Sequence, residues 1–177
     1  MEAPLAFRQQ LLGAIPRLRR YARSLVFDAH AADDLVQTAL ERALSHWHQF
    51  DQRRDILVWT ISIAHNAYMD DRRRHARMPI SEPRESQPAD ERHAANTPDL
   101  GLRMDLIAAL QRLPVEQREP LLLVTLEQLS YAECAELLRI PIGTVMSRIS
   151  RARVALRALL DGAAPHSAGA PTLRRVI

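Results

Sequence analysis

The sequence predicts an all-α protein built as two small helical domains joined by a flexible acidic linker. Apolar residues recur at steps of three and four along most of the chain, whereas the two-residue alternation of strands is absent. Glycine is scarce, at 5 of 177 residues. Between Met78 and Asp99 the pattern fails: Pro79, Pro83, Pro88 and Pro98 punctuate a run carrying Glu82, Glu85, Asp90, Glu91 and Asp99, with few apolar residues to bury. The expected division is therefore a domain over residues 1–77, a linker over 78–99, a domain over 100–161 and a loose Ala/Pro/Gly-rich tail over 162–177. With 47% hydrophobic and 25% charged residues, the domains can build packed cores.

Each element follows from local signals. Leu5 to Ala14 reads as a first helix, with Pro16 opening a second that runs through Leu25, because proline suits a first helical turn. A third covers Ala31 to Ser45. A loop with Trp47, Phe50, Arg53 and Arg54 follows, and then a long helix from Ile56 to His75. In the second half, helices are expected at Gly101–Leu113, Val115–Gln128, Tyr131–Ile140 and Thr144–Leu160, with Pro114 suiting the start of the second of these. Ser130-Tyr131-Ala132-Glu133 is a capping box, in which hydroxyl and carboxylate satisfy the orphan amides of a helix start. Ile140-Pro141-Ile142-Gly143 then breaks that helix. In the last helix Val145, Ile149, Ala152, Leu156 and Leu159 form one apolar stripe, and Ser147, Ser150, Arg151 and Arg157 fall opposite. Two short helices around a tight turn, the second bearing small polar residues and arginines, are what a helix-turn-helix offers a DNA major groove.

Composition narrows the function. The net charge is only +3, but the pI is near 9.7 and the arginines cluster, which favours a nucleic-acid partner. The single cysteine, Cys134, allows no intrachain disulfide and fits a reducing cytosol, where it reads as a small core residue. Short apolar runs such as Leu121 to Val124 cannot cross a bilayer, and an early acid, Glu2, breaks any signal-peptide pattern. A cytoplasmic protein without membrane insertion is expected. No glycine-rich phosphate loop, nucleophile elbow or zinc-type cysteine pair is present. His46 and His48 are two apart and point to different faces of a helix. No catalytic activity, cofactor, metal or small-molecule substrate is therefore expected.

Two faces of the first domain carry recognition chemistry. Asp34, Gln37, Thr38 and Glu41 share one polar helix face suited to a basic partner, while Leu35 and Ala39 turn inward. On the long helix Trp59, Ile63, Asn66 and Asp70 step along one side, and the helix ends in Arg72, Arg73 and Arg74. Aromatics stack on unpaired bases, asparagine pairs with a base edge and arginines neutralise phosphates, so this constellation with Phe50, Arg53 and Arg54 suits single-stranded DNA.

These residues carry a family resemblance. Ala32-Asp33-Asp34-Leu35-Val36-Gln37-Thr38-Ala39-Leu40-Glu41-Arg42-Ala43 resembles the polymerase-binding segment of bacterial sigma factors. Trp59-Thr60-Ile61-Ser62-Ile63-Ala64-His65-Asn66 is similar to their promoter-melting helix, and the run from Gly143 to Arg153 to their second DNA-reading helix. Order, spacing and acidic linker match the small two-domain members of the sigma-70 family, the extracytoplasmic-function (ECF) group, from about Leu11 to Leu160. The resemblance implies region 2 over residues 1–77 and a region 4 helix-turn-helix over 100–161. It implies that Asp34, Gln37, Thr38 and Glu41 face the β′ clamp coiled-coil of core RNA polymerase, whose β subunit is also contacted. Phe50 and its loop, with Asn66, would hold a base flipped from the minus-ten element; Trp59 would support that pocket or border the melted strand beside Ile63, and Arg53, Arg72, Arg73 and Arg74 would hold phosphate. Thr144, Ser147, Arg148, Ser150, Arg151 and Arg153 would contact the minus-thirty-five element. An anti-sigma factor is the implied regulator, and stress response the implied setting.

Three positions depart from the family pattern: Met146 stands where lysine or arginine is common, the loop Asp51 to Asp55 lacks a glycine, and His65 replaces a more usual arginine. Two rival readings are a stand-alone helix-turn-helix regulator with a helical sensing domain, and a sigma-like partner-switching protein that no longer initiates transcription.

Overall fold

The computed structural model describes residues 2–77 and 98–163, and within them it is all-helical. Most of the expected linker and all but the first two positions of the expected tail lie outside the described residues. Three helices form a first bundle: α1 (Leu5–Val26), α2 (Ala29–Ser45) and α3 (Ile56–Arg77), with a single 3₁₀ turn at Trp47–Gln49. Four form a second: α4 (Pro98–Arg112), α5 (Val115–Thr125), α6 (Tyr131–Leu138) and α7 (Ile142–Ala163).

The expected break before Pro16 does not occur, and α1 runs unbroken through it. Pro16 sits on the exposed side of the helix with Leu12 and Gly13, so the carbonyl that loses its partner lies in the solvated turn. Leu11, Ala14, Leu18, Tyr21, Ala22 and Leu25 hold the opposite side in the core. Helix starts are set by acids: Asp28 Oδ1 accepts from Ala31 N at 2.7 Å, and Asp55 Oδ1 from Leu57 N at 2.7 Å. Helix α7 begins at Ile142 rather than Thr144, because the Pro141 carbonyl accepts from the amides of Thr144 and Val145.

Two helices, α1 and α6, end on left-handed residues that are not glycine, and a third such residue, Gln128, follows α5. Phe27, Gln128 and Arg139 have φ of 57°, 60° and 55°. After α6 the Ile140 amide donates to the Ala135 carbonyl, the return bond of a Schellman ending, and after α5 the Leu129 amide donates to the Leu123 carbonyl. Each such residue costs on the order of 1–2 kcal/mol of backbone strain. At Phe27 the Arg118 guanidinium, 4.8 Å over the ring, adds a compensating contact.

The two bundles share one core. Helix α1 packs on α5 and α3 on α6, and a continuous set of buried residues runs from Leu18, Leu25, Ile61 and Ala64 to Leu121, Leu123, Cys134, Val145 and Ile149. A second cluster, Phe7, Leu11, Ala43 and Phe50, closes the far end of the first bundle.

Candidate nucleic-acid and partner interface

On α2, Asp34, Gln37 and Glu41 are exposed and Thr38 is half-buried, while Leu35, Val36 and Ala39 hold the core side. Gln37 Nε2 donates to Glu41 Oε1 at 2.9 Å, so the face presents acceptors already oriented along the helix.

The α3 face is laid over aromatic rings. Trp59 lies 5.2 Å from Phe50 and 6.0 Å from Phe7 between ring centroids, and Phe50 is only 9% exposed. Phe50 was expected to present its ring to a base; in this conformation the ring is instead spent in the cluster with Phe7 and Trp59, supporting the face from below. Trp59, Ile63 and Asn66 are half-buried and stay within reach of solvent. In the loop, which has no glycine, Asp51 holds the turn, accepting the Arg53 amide on Oδ1 at 3.0 Å and the Arg54 amide on its carbonyl at 2.9 Å. Arg53 is exposed. Arg73 and Arg74 pair with Asp70 and Asp71 on their own helix at 3.7 and 3.3 Å, whereas Arg72 reaches Glu116 of the second bundle at 3.5 Å.

On α7 the apolar stripe is buried as expected, with Val145, Ile149 and Ala152 at 0–1% exposure. Ser147, Ser150, Arg151 and Arg153 are exposed, and Thr144 and Arg148 half-buried. Arg151 folds back onto its helix, donating to the Ser147 carbonyl at 3.2 Å and its hydroxyl at 3.3 Å. Met146 is 52% exposed and Val154 70%, lining with Tyr131 and Arg157 an open cavity of about 550 Å³. The capping box of α6 is formed, with Glu133 Oε2 accepting the Ser130 amide at 2.8 Å and Ser130 Oγ the Glu133 amide at 3.2 Å. Its hydrogen bonds hold the Glu133 carboxyl below the ordinary carboxylate range. Cys134 is fully buried and its thiol is pushed up to about 12, chiefly by desolvation, so it is inert.

Sequence reasoning missed the polar hub between the bundles. Glu119, 3% exposed, accepts on a single oxygen from Tyr21 Oη at 2.5 Å and from His65 Nδ1 at 2.6 Å. Burial and the adjoining Glu119 raise the Tyr21 pKa well above its ordinary value, keeping the phenol a donor. Glu127, 1% exposed, takes Arg17 and Arg20 at 3.1 and 3.0 Å. Arg118, also buried, donates to the Leu25 carbonyl at 2.9 Å, tying α5 to the end of α1. The available signal was the pair of charges Arg118 and Glu119 directly before the apolar run Leu121 to Val124.

Residues 11–65 match the family described as the Sigma2 domain of PhyR, and residues 103–156 match Sigma-70, region 4. The ECF RNA polymerase sigma factor EcfG of Rhodopseudomonas palustris is 36% identical over 166 residues, covering 89% of this chain and 88% of that protein. The chain belongs to the ECF sigma factors of the sigma-70 family. The ECF sigma factor SigC of Mycobacterium tuberculosis is 36% identical over 138 residues, 74% of this chain and 71% of its own. Among solved structures, the sigma factor RpoE bound to the anti-sigma factor NepR of Bartonella quintana superposes with a TM-score of 0.70 at 29% identity, covering 88% of this chain and 97% of that one. CnrH bound to the cytosolic domain of CnrY gives 0.65 at 26% identity, covering 89% and 88%. In this sigma factor the two matched segments lie on the two bundles, one on each side of the Glu119 hub. Among the described residues no helix is long and apolar enough to cross a membrane, and no group of three or more His, Cys, Asp or Glu is arranged to hold a metal ion.

Proposed function

We propose that this sigma factor binds core RNA polymerase, directs it to specific promoters and promotes melting of the minus-ten element. The observation that carries the reading is the separation of chemistries on the two matched segments: an exposed carboxylate and amide face on α2, and a serine–arginine face on α7. Asp34, Gln37, Thr38 and Glu41 meet the β′ clamp coiled-coil. Trp59, Ile63 and Asn66 border the melted strand, with Phe50 bracing Trp59, and Arg53, Arg72, Arg73 and Arg74 supply phosphate contacts. Thr144, Ser147, Arg148, Ser150, Arg151 and Arg153 read the minus-thirty-five duplex.

The energetics suit this division. Extruding a base costs a few kcal/mol, which capture on the α3 face offsets. Each good base contact from α7 adds roughly 1–3 kcal/mol of selection. Neither bundle holds DNA tightly alone, and polymerase supplies the remaining contacts by holding both readers at fixed spacing. By analogy with RpoE, which was solved with the anti-sigma factor NepR, this chain is also held by an anti-sigma factor.

Run-off transcription with core polymerase on genomic fragments tests the proposal. Transcripts sharing an upstream element are expected, and Asn66→Ala reduces open-complex formation more than polymerase affinity. Specific nanomolar duplex binding without polymerase, and no transcripts, would overturn it in favour of a stand-alone regulator. The match of residues 11–65 to the PhyR sigma2 domain favours one second reading, a sigma-like protein that engages an anti-sigma factor without initiating. Capture of an anti-sigma factor with no transcript from any fragment identifies that case.

A further inference from the structure

The ion pairs between the bundles share one polarity. Arg17 and Arg20 meet Glu127, Arg54 meets Glu136 at 2.6 Å, Arg72 meets Glu116 at 3.5 Å, and His65 meets Glu119. In each the cation or donor belongs to the first bundle and the carboxylate to the second. Two of these cations, Arg54 and Arg72, stand in the loop before α3 and in the C-terminal part of that helix, so in sequence they bracket Trp59, Ile63 and Asn66.

We propose that Glu116 and Glu136 stand in for DNA phosphate, so that closure of the second bundle on the first and capture of single-stranded DNA compete for Arg54 and Arg72. A carboxylate and a phosphate oxygen make the same charge-assisted bonds to a guanidinium, and one arginine fork cannot serve both partners fully. The inference rests on the strand-capturing role of α3 proposed above. The structure divides the labour within the interface. Glu119 and Glu127 are buried and satisfied, and define how the bundles sit together. Glu116 and Glu136 have side chains 50% and 64% exposed, and their arginines 46% and 62%, so these rim pairs are weak and exchangeable. Linkage then runs both ways: closure lowers affinity for DNA by the same factor by which DNA loosens closure.

The test compares full-length chains without polymerase, using a fluorescein-labelled, mixed-sequence single-stranded oligonucleotide and fluorescence anisotropy. The variant Glu116→Gln/Glu136→Gln keeps the side-chain shape at exposed positions, and circular dichroism checks its fold. The control Asp105→Asn/Asp161→Asn makes the same change in net charge at exposed positions outside these pairs. The first variant is expected to bind about threefold to tenfold tighter than the control, the range of two exposed ion pairs. Adding Arg54→Ala/Arg72→Ala to it is expected to remove the gain. Equal affinity of the two neutralised variants, or a gain that survives loss of both arginines, overturns the proposal. Run-off transcription by the unaltered chain separates this failure from that of the underlying reading: active transcription with no gain sinks the competition alone, whereas no transcript from any fragment sinks both.

Discussion

The buried seam between the bundles and the exposed faces of α3 and α7 use the same residue types to opposite ends. In the seam, Glu119 and Glu127 are almost fully buried, and each accepts from two side chains of the first bundle. On α7, Arg151 is exposed and bonded only to its own helix through Ser147, and on α3 Arg73 and Arg74 pair with neighbours on the same turn. A buried charge without its partner costs several kcal/mol, whereas an exposed pair contributes a fraction of one. The seam therefore governs stability and the surface governs recognition, and substitutions should separate accordingly.

The largest effect is expected in the seam. Glu119→Ala leaves the Tyr21 hydroxyl, whose residue is 0% exposed, and the His65 imidazole without an acceptor. Each orphaned buried donor costs roughly 1–3 kcal/mol, so urea unfolding should show a loss of about 3 kcal/mol. A loss under about 1 kcal/mol would mean that water or a neighbouring group replaces the carboxylate, and that the seam resembles the surface after all.

Next comes α7, the proposed DNA-reading helix. Arg151→Ala should weaken binding of holoenzyme to a promoter bearing the upstream element by about tenfold to a hundredfold, the worth of one good base contact. Its unfolding free energy should move by less than about 0.5 kcal/mol, as for ordinary surface positions. Quantitative footprinting and urea unfolding on one preparation measure both, and a shift in stability alone would contradict the division. Smaller still, Asp34→Ala removes one exposed carboxylate from α2 and should reduce affinity for core polymerase by a few fold, with promoter melting by the assembled complex unchanged.

The sequence disclosed these regions unequally, for physical reasons. The stripe of Val145, Ile149 and Ala152 and the capping box at Ser130 are local patterns, and both stand as expected. Helix ends were harder: Arg139 adopts a left-handed backbone without the glycine that usually announces it and stops α6 two residues early, and α5 stops three residues early at Thr125. Pro16 misled in the other direction, since a proline on the wet side of an amphipathic helix leaves the buried stripe intact. The faces on α2 and α7 were legible because exposed recognition residues share a helical period. The hub was not, since Tyr21, His65 and Glu119 lie 44 and 54 positions apart in sequence and meet only through tertiary packing. His65 stood out only as a departure from the family pattern, and its place against Glu119 supplies the physical reason for a side chain that fits a buried, hydrogen-bonded site.

The smallest expected effect tests the comparison at its boundary, where an exposed carboxylate nevertheless contributes to fold. Glu133 is exposed, yet it completes the capping box that starts the first helix of the helix-turn-helix. Its pKa is lowered in the folded protein, first by the Ser130 hydroxyl and then by the Ser130 amide. A group with a depressed folded pKa contributes stability above its unfolded value and loses it as pH falls through the folded value. The contribution is thus present at neutral pH and fades on acidification below the ordinary glutamate range. Thermal melts of the unaltered chain and of Glu133→Gln, taken from neutral to acidic pH, should differ at neutral pH and converge as the carboxylate of the former is protonated. Equal melting of the two chains at neutral pH would assign the cap to hydrogen bonding that an amide also supplies rather than to charge, and would return Glu133 to the weak surface class.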